Sequence, residues 1–480
     1  MRKILFPLLL LALYVGSFNE AAAYYGKQSM HAILTYKGEV LVEKDLSRSE
    51  IKEKILEQTT YLLGTFHSKS FVKEFGSKGV VGEKKMITNI KVKNLKKQDY
   101  DLVSYSFKSK ALFDKDAFGR KKTIRVPIKL PLLPSEIYQY GLVGSVNKCT
   151  DKHYNGEGDF FYFWDPDKRN CPLKGNSEHV LRFSGQLKKL SKSRRTRPPY
   201  EKIFGDNGNG DVTRIDLFFG YVDDKSPRNL YHYMKQTLKI MNPNSSLNKV
   251  DDSIISAYEM ADFLEEEGFS LSKRVLYGSF ERRQVKKLER KNIHVEHLAT
   301  SEEGDSPGEK RTYTKVFSSG KEVQVNIVIS DTAAQEEGEE KTTLFKNSLE
   351  NALMKADIIQ YEGHSGLGAN LDLNELYGNK DLFDPDKAQI IFINGCHSYS
   401  YYKDLFFKAK NNSKNLDLIL SGLSTLSDDA ANNTKAFIKY FLNPEKKRKI
   451  SYQAILNAIE KSNNDENGTY LTSVFGDSIR

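Results

Sequence analysis

Cys396 and His364 are the residues whose types and placement could do covalent chemistry. Cys396 ends an apolar run, Ile390-Ile391-Phe392-Ile393-Asn394-Gly395-Cys396, and His364 ends another, Asp357-Ile358-Ile359-Gln360-Tyr361-Glu362-Gly363-His364. An ordinary thiol is only a few per cent thiolate at neutral pH. A histidine within reach can take its proton. The thiolate then attacks an acyl carbon, and the imidazolium protonates the leaving amine. Gly363 and Gly395 permit tight turns directly before the two residues. The backbone N–H of Cys396, with one near Ser365 or Gly366, could form an oxyanion hole, where a single donor is worth about 3 kcal/mol. Each residue alone has a plainer explanation. A cysteine after an apolar strand is ordinarily a small buried hydrophobe, and a histidine among glycines ordinarily belongs to a turn. Their matched placement favours catalysis. His397 competes as the base, but adjacent side chains diverge, so His364 ranks first.

The elements that must position this pair follow from the texture around it. Strands alternate with helices from Lys273 onward: strands at Val275–Tyr277, 293–298, Val323–Ile329, Asp357–Tyr361, Ile390–Ile393 and Leu416–Leu420, and helices at 281–291, Thr342–Lys355, Tyr401–Ala409 and 450–461. A last helix follows Ser427, read as its cap, with Asp428 and Asp429 in its first turn. Such alternation argues an α/β fold with a mostly parallel sheet covered on both faces. Chemistry in such sheets lies just past the carboxyl ends of the strands, where His364 and Cys396 both fall.

Residues 24–225 read as a β-rich region, with a turn at Lys37-Gly38 inside Met30–Glu43 and one amphipathic helix from Ser49, read as its cap, to Leu63. Residues 226–270 read as a helical connector and 271–480 as the α/β domain. Cys149 and Cys171 lie in one loop-rich stretch and can pair as a disulfide, which leaves Cys396 free. Between them lies the aromatic run Asp159–Pro166, read as a small core pinned by the bridge rather than a ligand platform. The run from Lys188 to Arg197 reads as a solvated basic loop, with a processing site as the alternative. Residues 206–211 resemble a calcium loop but carry glycine at two ligand positions, so they read as a turn.

A disulfide requires an oxidising compartment. Residues 1–23 read as an export signal: Arg2 and Lys3, an apolar run from Ile4 to Val15, and Ala21-Ala22-Ala23 at the cleavage site. That run is short for a bilayer span, and no later segment is long and apolar enough to be one. The expectation is an exported protein, periplasmic or secreted. The chain has 480 residues, 39% hydrophobic and 28% charged, enough for ordinary cores and two or three domains. Its formal net charge of +10 suits an acidic partner, but the lysines are spread along the chain without a nucleic-acid motif, so nucleic-acid binding is not expected.

These residues resemble a known set. The pattern of apolar strand, Gly363-His364-Ser365-Gly366, apolar strand and Gly395-Cys396 is similar to that of the caspase-like cysteine peptidases, a clan that includes caspases, metacaspases, legumains, clostripain and gingipains. Asn394-Gly395-Cys396-His397-Ser398 resembles the metacaspase segment around the nucleophile, and Tyr361-Glu362-Gly363-His364 resembles the gingipain and metacaspase segment around the catalytic histidine. The resemblance covers residues 270–465 or so. It implies a caspase-like three-layer α/β/α sandwich and endopeptidase action on a protein or peptide substrate, with His364 as base and acid and Cys396 as nucleophile. Two departures stand out. The clan's histidine is usually followed by glycine, whereas Ser365 intervenes here. Metacaspases carry an acid at the position of Asn394, so their preference for Arg or Lys at the cleavage site does not carry over. No cofactor or metal is implied. Clan members sometimes use calcium, but the acidic loops at 336–340 and Asp381–Asp386 read as solvated. Two other readings stay open: a non-catalytic binding or surface protein with a degenerate domain, and thiol-based transpeptidation.

Overall fold

The computed structural model describes residues 24–476 apart from 77, 96–98, 153, 192–196, 206–211, 224, 279–306, 333–342, 366–370, 372, 379, 412–414, 426, 447–449 and 463–471. The expected leader, residues 192–196 of the basic run, the turn at 206–211, the helix at 281–291, the strand at 293–298, the acidic loop at 336–340 and Gly366 lie outside the described residues.

The first half is built on β2 (Ser29–Glu43), which follows the short β1 (Tyr24–Tyr25). Helices α1 (Arg48–Thr60), α2 (Leu62–His67) and α3 (Lys69–Phe75) come next, then the long strands β3 (Gly79–Asn94) and β4 (Tyr100–Asp114), β5 (Thr123–Pro131), α4 (Ile137–Tyr140), a small hairpin of β6 (Leu142–Val143) and β7 (Val146–Asn147), and β8 (Val180–Lys189). The five long strands form an antiparallel sheet in the order β3-β4-β2-β8-β5. Two expectations need correction here. β2 runs straight through Lys37-Gly38. Gly38 sits opposite Tyr105, whose ring would lie 2.5 Å from an added Cβ, so the glycine marks a close approach and not a turn. The cap of α1 is Ser47, not Ser49. Ser47 Oγ accepts from the Glu50 N–H (3.3 Å) and the Glu50 carboxylate accepts from the Ser47 N–H (2.7 Å), a reciprocal capping box. Cys149 and Cys171 form a disulfide with Cα atoms 4.6 Å apart, in the core that buries Phe66, Phe107, Phe160 and Trp164.

The second half runs through α5 (Tyr200–Phe204), β9 (Val212–Gly220), α6 (Leu230–Ile240), α7 (Asp252–Glu266), β10 (Ser270–Tyr277), β11 (Gly308–Val316), β12 (Glu322–Ser330), α8 (Thr343–Lys355), β13 (Ile358–Glu362), α9 (Leu373–Tyr377), β14 (Gln389–Asn394), α10 (Lys403–Ala409), β15 (Leu416–Ser421), α11 (Ala430–Ile438), α12 (Tyr452–Ser462) and β16 (Thr472–Gly476). Its sheet has the order β1-β16-β15-β14-β13-β9-β12-β11-β10. The five central strands, β15 to β12 in that order, are all parallel. The flanks are antiparallel, with β10, β11 and β12 forming a meander. The strand at Val212 does not close the β-rich region; it is the middle of this sheet. The α/β unit therefore starts near Tyr200 rather than at 271, and the expected connector helices α6 and α7 cover one of its faces. The composition of β9 explains this. Ile215, Leu217, Phe218 and Phe219 are buried alternately on both faces, as a central parallel strand requires.

The fold is mixed α/β with three layers. On one face Ile358, Ile390, Phe392 and Ile419 pack with α6, α7, α11 and α12. On the other, Ile359, Tyr361, Ile391, Ile393 and Leu420 pack with α8, α9 and α10, joined by Leu63, Val80 and Leu112 of the first half. The helix read after Ser427 begins instead at Ala430. Ser427 Oγ donates to Asp252 Oδ2 (2.8 Å), tying that turn to α7 rather than capping α11.

Candidate active site

β13 and β14 are parallel and in register, with Glu362 opposite Asn394. Gly363-His364-Ser365 and Gly395-Cys396-His397 therefore leave the sheet side by side. The two turns interlock. An added Cβ on Gly395 would lie 2.7 Å from Ser365 Cβ and 3.1 Å from the Gly363 carbonyl oxygen; one on Gly363 would lie 2.8 Å from the Tyr361 hydroxyl. Only glycines allow this approach. Ser365 Oγ donates to the Cys396 carbonyl, joining the two turns directly.

His364 is exposed, and its backbone is held from below. Tyr361 Oη donates to the His364 carbonyl (2.6 Å) and lies 3.2 Å from Thr332 Oγ1. On the imidazole, Nε2 is 3.1 Å from the Val222 carbonyl oxygen. A carbonyl only accepts, so Nε2 carries a hydrogen; in the neutral ring this leaves the lone pair on Nδ1, the tautomer a base needs. Val222 lies just past the end of β9, the neighbour of β13. Asp251 shapes that loop, accepting at Oδ2 from the Val222 N–H (3.2 Å), the Asp223 N–H (3.3 Å) and Ser226 Oγ (3.0 Å). Burial and then the Asp223 charge push its carboxyl up to about 6, against those hydrogen bonds.

Cys396 is half-buried and free. Its Sγ donates toward the Thr425 carbonyl (3.8 Å) and lies 3.9 Å from Thr425 Oγ1, a hydroxyl that donates to the Asn394 carbonyl (3.4 Å). Among the described residues the Cys396 N–H has no hydrogen-bond partner, which leaves it available to an oxyanion. Tyr154 and Tyr162 of the first half stand near the thiol: burial and then Cys396 raise the Tyr154 phenol, and burial raises Tyr162 against the Tyr401 hydrogen bond, with Cys396 a smaller cause. Tyr401 Oη donates to Tyr162 Oη (3.0 Å). The aromatic run thus divides. Phe160 and Trp164 join the disulfide core as expected, while Tyr162 turns to the site.

His397, the competing candidate, lies inside the protein. It adopts the left-handed conformation (φ 54°) and is buried, with Nδ1 3.3 Å from the Gly422 carbonyl oxygen and Nε2 3.2 Å from Ser424 Oγ. Burial, opposed by the Gly422 bond and aided by Lys78, lowers it to about 4. Its ring stacks on His67 of α2 with centroids 4.6 Å apart, and burial holds His67 well below the usual histidine value. Nearby, Ser400 Oγ donates to the Val81 carbonyl (2.8 Å) and the Asp404 N–H to Glu83 Oε2 (2.7 Å). The first half therefore braces the segment that follows Cys396.

Beneath the turns, Glu362 is buried. Its Oε2 accepts from Asn394 Nδ2 (2.6 Å) and Gln360 Nε2 (3.2 Å), and Ser421 Oγ donates to Asn394 Oδ1 (3.0 Å). Burial raises the carboxyl well above its usual range despite the Asn394 bond, and the Asp429 charge adds to the rise.

Sequence reasoning missed Thr425, Val222, Tyr154 and the His67 contact. Thr425 had a signal, since it lies just past β15, the next parallel strand. The Val222 carbonyl had none, because a main-chain acceptor carries no residue type. Among the described residues no group of three or more His, Cys, Asp or Glu side chains is arranged to hold a metal. No protein-family model matches the chain, and no curated protein matches it significantly.

Proposed function

We propose that this protein is an exported, caspase-like cysteine endopeptidase. His364 is its base and acid, Cys396 its nucleophile, and the Cys396 N–H an oxyanion donor. The observation that carries this reading is the pairing of β13 with β14, whose ends release His364 and Cys396 at one sheet edge with Ser365 bridging the turns. The imidazole held at Nε2 by Val222 leaves Nδ1 to take the thiol proton. The thiolate adds to the scissile carbonyl and the imidazolium protonates the amine; water then cleaves the acyl-enzyme. Export is supported by the Cys149–Cys171 disulfide and the leader-like start of the sequence. No helix among the described residues is long and apolar enough to cross a membrane.

The test is labelling of the folded protein with a broad peptidyl electrophile. A single adduct on Cys396, lost in His364→Ala, supports the peptidase. A second reading, a degenerate domain that binds without cleaving, is favoured by one observation: the hydrogen-bond partner of Cys396 Sγ is Thr425 and not His364. Labelling of Cys396 only after unfolding would establish that reading instead.

A further inference from the structure

A basic pocket of about 430 Å³ lies on the loop and helix that follow β9. It is lined by Lys225, Arg228, His232, Lys235, Lys239 and Lys249 with no carboxylate among its lining residues. Lys225 is paired with Asp223 (3.2 Å) and Asp252 (3.7 Å). Among the described residues Arg228, Lys235, Lys239 and Lys249 form no ion pair; the Lys235 ammonium rests over the Tyr231 ring, 4.9 Å from its centroid. Like charges gathered in one concavity repel one another, so the arrangement costs stability unless an anion occupies it. The volume falls within the range of ordinary ligand sites, roughly 300–1,000 Å³.

The pocket begins three residues after Val222, whose carbonyl holds the His364 ring. Three extended residues span at most about 10 Å. A peptide bound across the dyad would cover that distance in about three or four residues.

We infer that this pocket is an exosite for an acidic stretch of the substrate, a run of Asp or Glu side chains a few residues from the scissile bond. The inference rests on the peptidase reading for its biological sense, but binding to the pocket is measurable without cleavage. A concave site whose first lining residue lies three positions from Val222 suits a peptide that continues out of the active site; a flat membrane or a nucleic-acid duplex would meet a broader surface. The gain is chiefly in encounter rate and register, as for other complementary charge patches.

The probe is a fluorescein-labelled peptide carrying consecutive glutamates, with a glutamine counterpart, titrated by anisotropy against the full-length mature Cys396→Ala protein. The glutamate peptide should bind at least about tenfold more tightly, with added salt weakening it, and K235E/K239E should remove the difference. Lys235 is exposed and Lys239 partly exposed, and Arg228→Glu, exposed on the loop, provides an independent variant. In the Cys396→Ala protein these readouts do not depend on catalysis. With active enzyme, K235E/K239E should lower kcat/KM for a glutamate-flanked peptide about tenfold and leave the glutamine-flanked one unchanged. Equal binding of the two peptides, or binding undiminished in both variants, overturns the exosite. So does binding of phosphatidylserine vesicles or a DNA oligonucleotide through Lys235 and Lys239 without binding of the glutamate peptide. If the wild type cleaves neither peptide while the anisotropy difference holds, the peptidase reading fails and the acidic-peptide site stands.

Discussion

Ser365 Oγ donates to the carbonyl of Cys396, so the residue after the candidate base fastens the turn that carries the candidate nucleophile. The glycine usual at this position in the caspase-like clan could not make that bond. Ser365→Gly and Ser365→Ala should therefore cost about 1 kcal/mol in stability. They should lower the rate of Cys396 alkylation by a peptidyl electrophile about tenfold, because a misplaced nucleophile loses its near-attack geometry. Gly395→Ala should do more, since its Cβ would fall 2.7 Å from Ser365 Cβ. Unchanged alkylation in all three would mean the turns are positioned by other contacts.

Thr425 offers its hydroxyl 3.9 Å from Cys396 Sγ. That hydroxyl donates to the Asn394 carbonyl (3.4 Å), two residues before Cys396, so it helps to hold the turn that carries the thiol. Thr425→Val loses this bond; it should cost about 1 kcal/mol in stability and slow Cys396 alkylation. An alkylation rate unchanged in Thr425→Val would show that other contacts hold the turn.

His67 and His397 stack at 4.6 Å and are both buried with lowered proton affinity. Lys78 acts on both and lowers them further, while the Phe163 ring covers His67. A histidine held neutral when folded adds stability above its unfolded value, about 6.5, and loses it as pH falls toward the folded one. For His397 that window closes at about 4. Denaturation midpoints should fall between pH 6.5 and 4, and His67→Phe, which keeps a ring against His397, should flatten the slope. Because this pair joins the first half to the Cys396 turn, the alkylation rate should change in the same window. A pH-independent midpoint in the wild type would remove the pair from the argument.

The Cys149–Cys171 bridge closes a loop across 22 positions that carries Tyr154 and Tyr162 toward the thiol. Cys171→Ser with Cys149→Ser should destabilise by about 3 kcal/mol on the loop-entropy model. Mild reduction of the wild type should speed labelling of Cys396 by loosening this wall. Labelling rates that ignore the bridge would show that the tyrosines are held by the Tyr401 contact instead.

The strand pair β13–β14 was more legible than the fold around it. Apolar runs ending in Gly-His and Gly-Cys gave both strands and their shared edge, because parallel strands buried on both faces read as continuous hydrophobic segments. The same rule applied to Val212–Gly220 would have found β9. It was read with the β-rich region because Gly and Asn precede it and the strands it joins come more than a hundred residues later. Gly38 misled for a local reason: a glycine accommodating Tyr105 across the sheet looks the same in sequence as a glycine in a turn. The bracing of the Cys396 turn by α2 and β3 was invisible because it depends on two halves of the chain meeting, which no local pattern records.

Glu362 gives the sharpest test of the site's interior. It lies between the two strand ends, accepting from Asn394 and Gln360 at a single oxygen. Its carboxyl is raised by burial and by Asp429, so the folded protein holds it neutral where the unfolded chain would ionise it. The stabilising contribution is full below the unfolded value, about 4.5 or less, and is lost as pH rises toward the folded value. Glutamine reproduces the neutral acid, with an oxygen to accept and an amide in place of the hydroxyl. Glu362→Gln should match the wild type in stability near pH 4. By pH 8 it should exceed it by about 1 kcal/mol or more, since each unit of elevation is worth about 1.4 kcal/mol. Cys396 alkylation should persist in this variant, because the hydrogen bonds beneath the turns survive. Wild type and variant with parallel stability across pH 4 to 8 would show that Glu362 ionises in place, and that Asn394 and Gln360 solvate its charge.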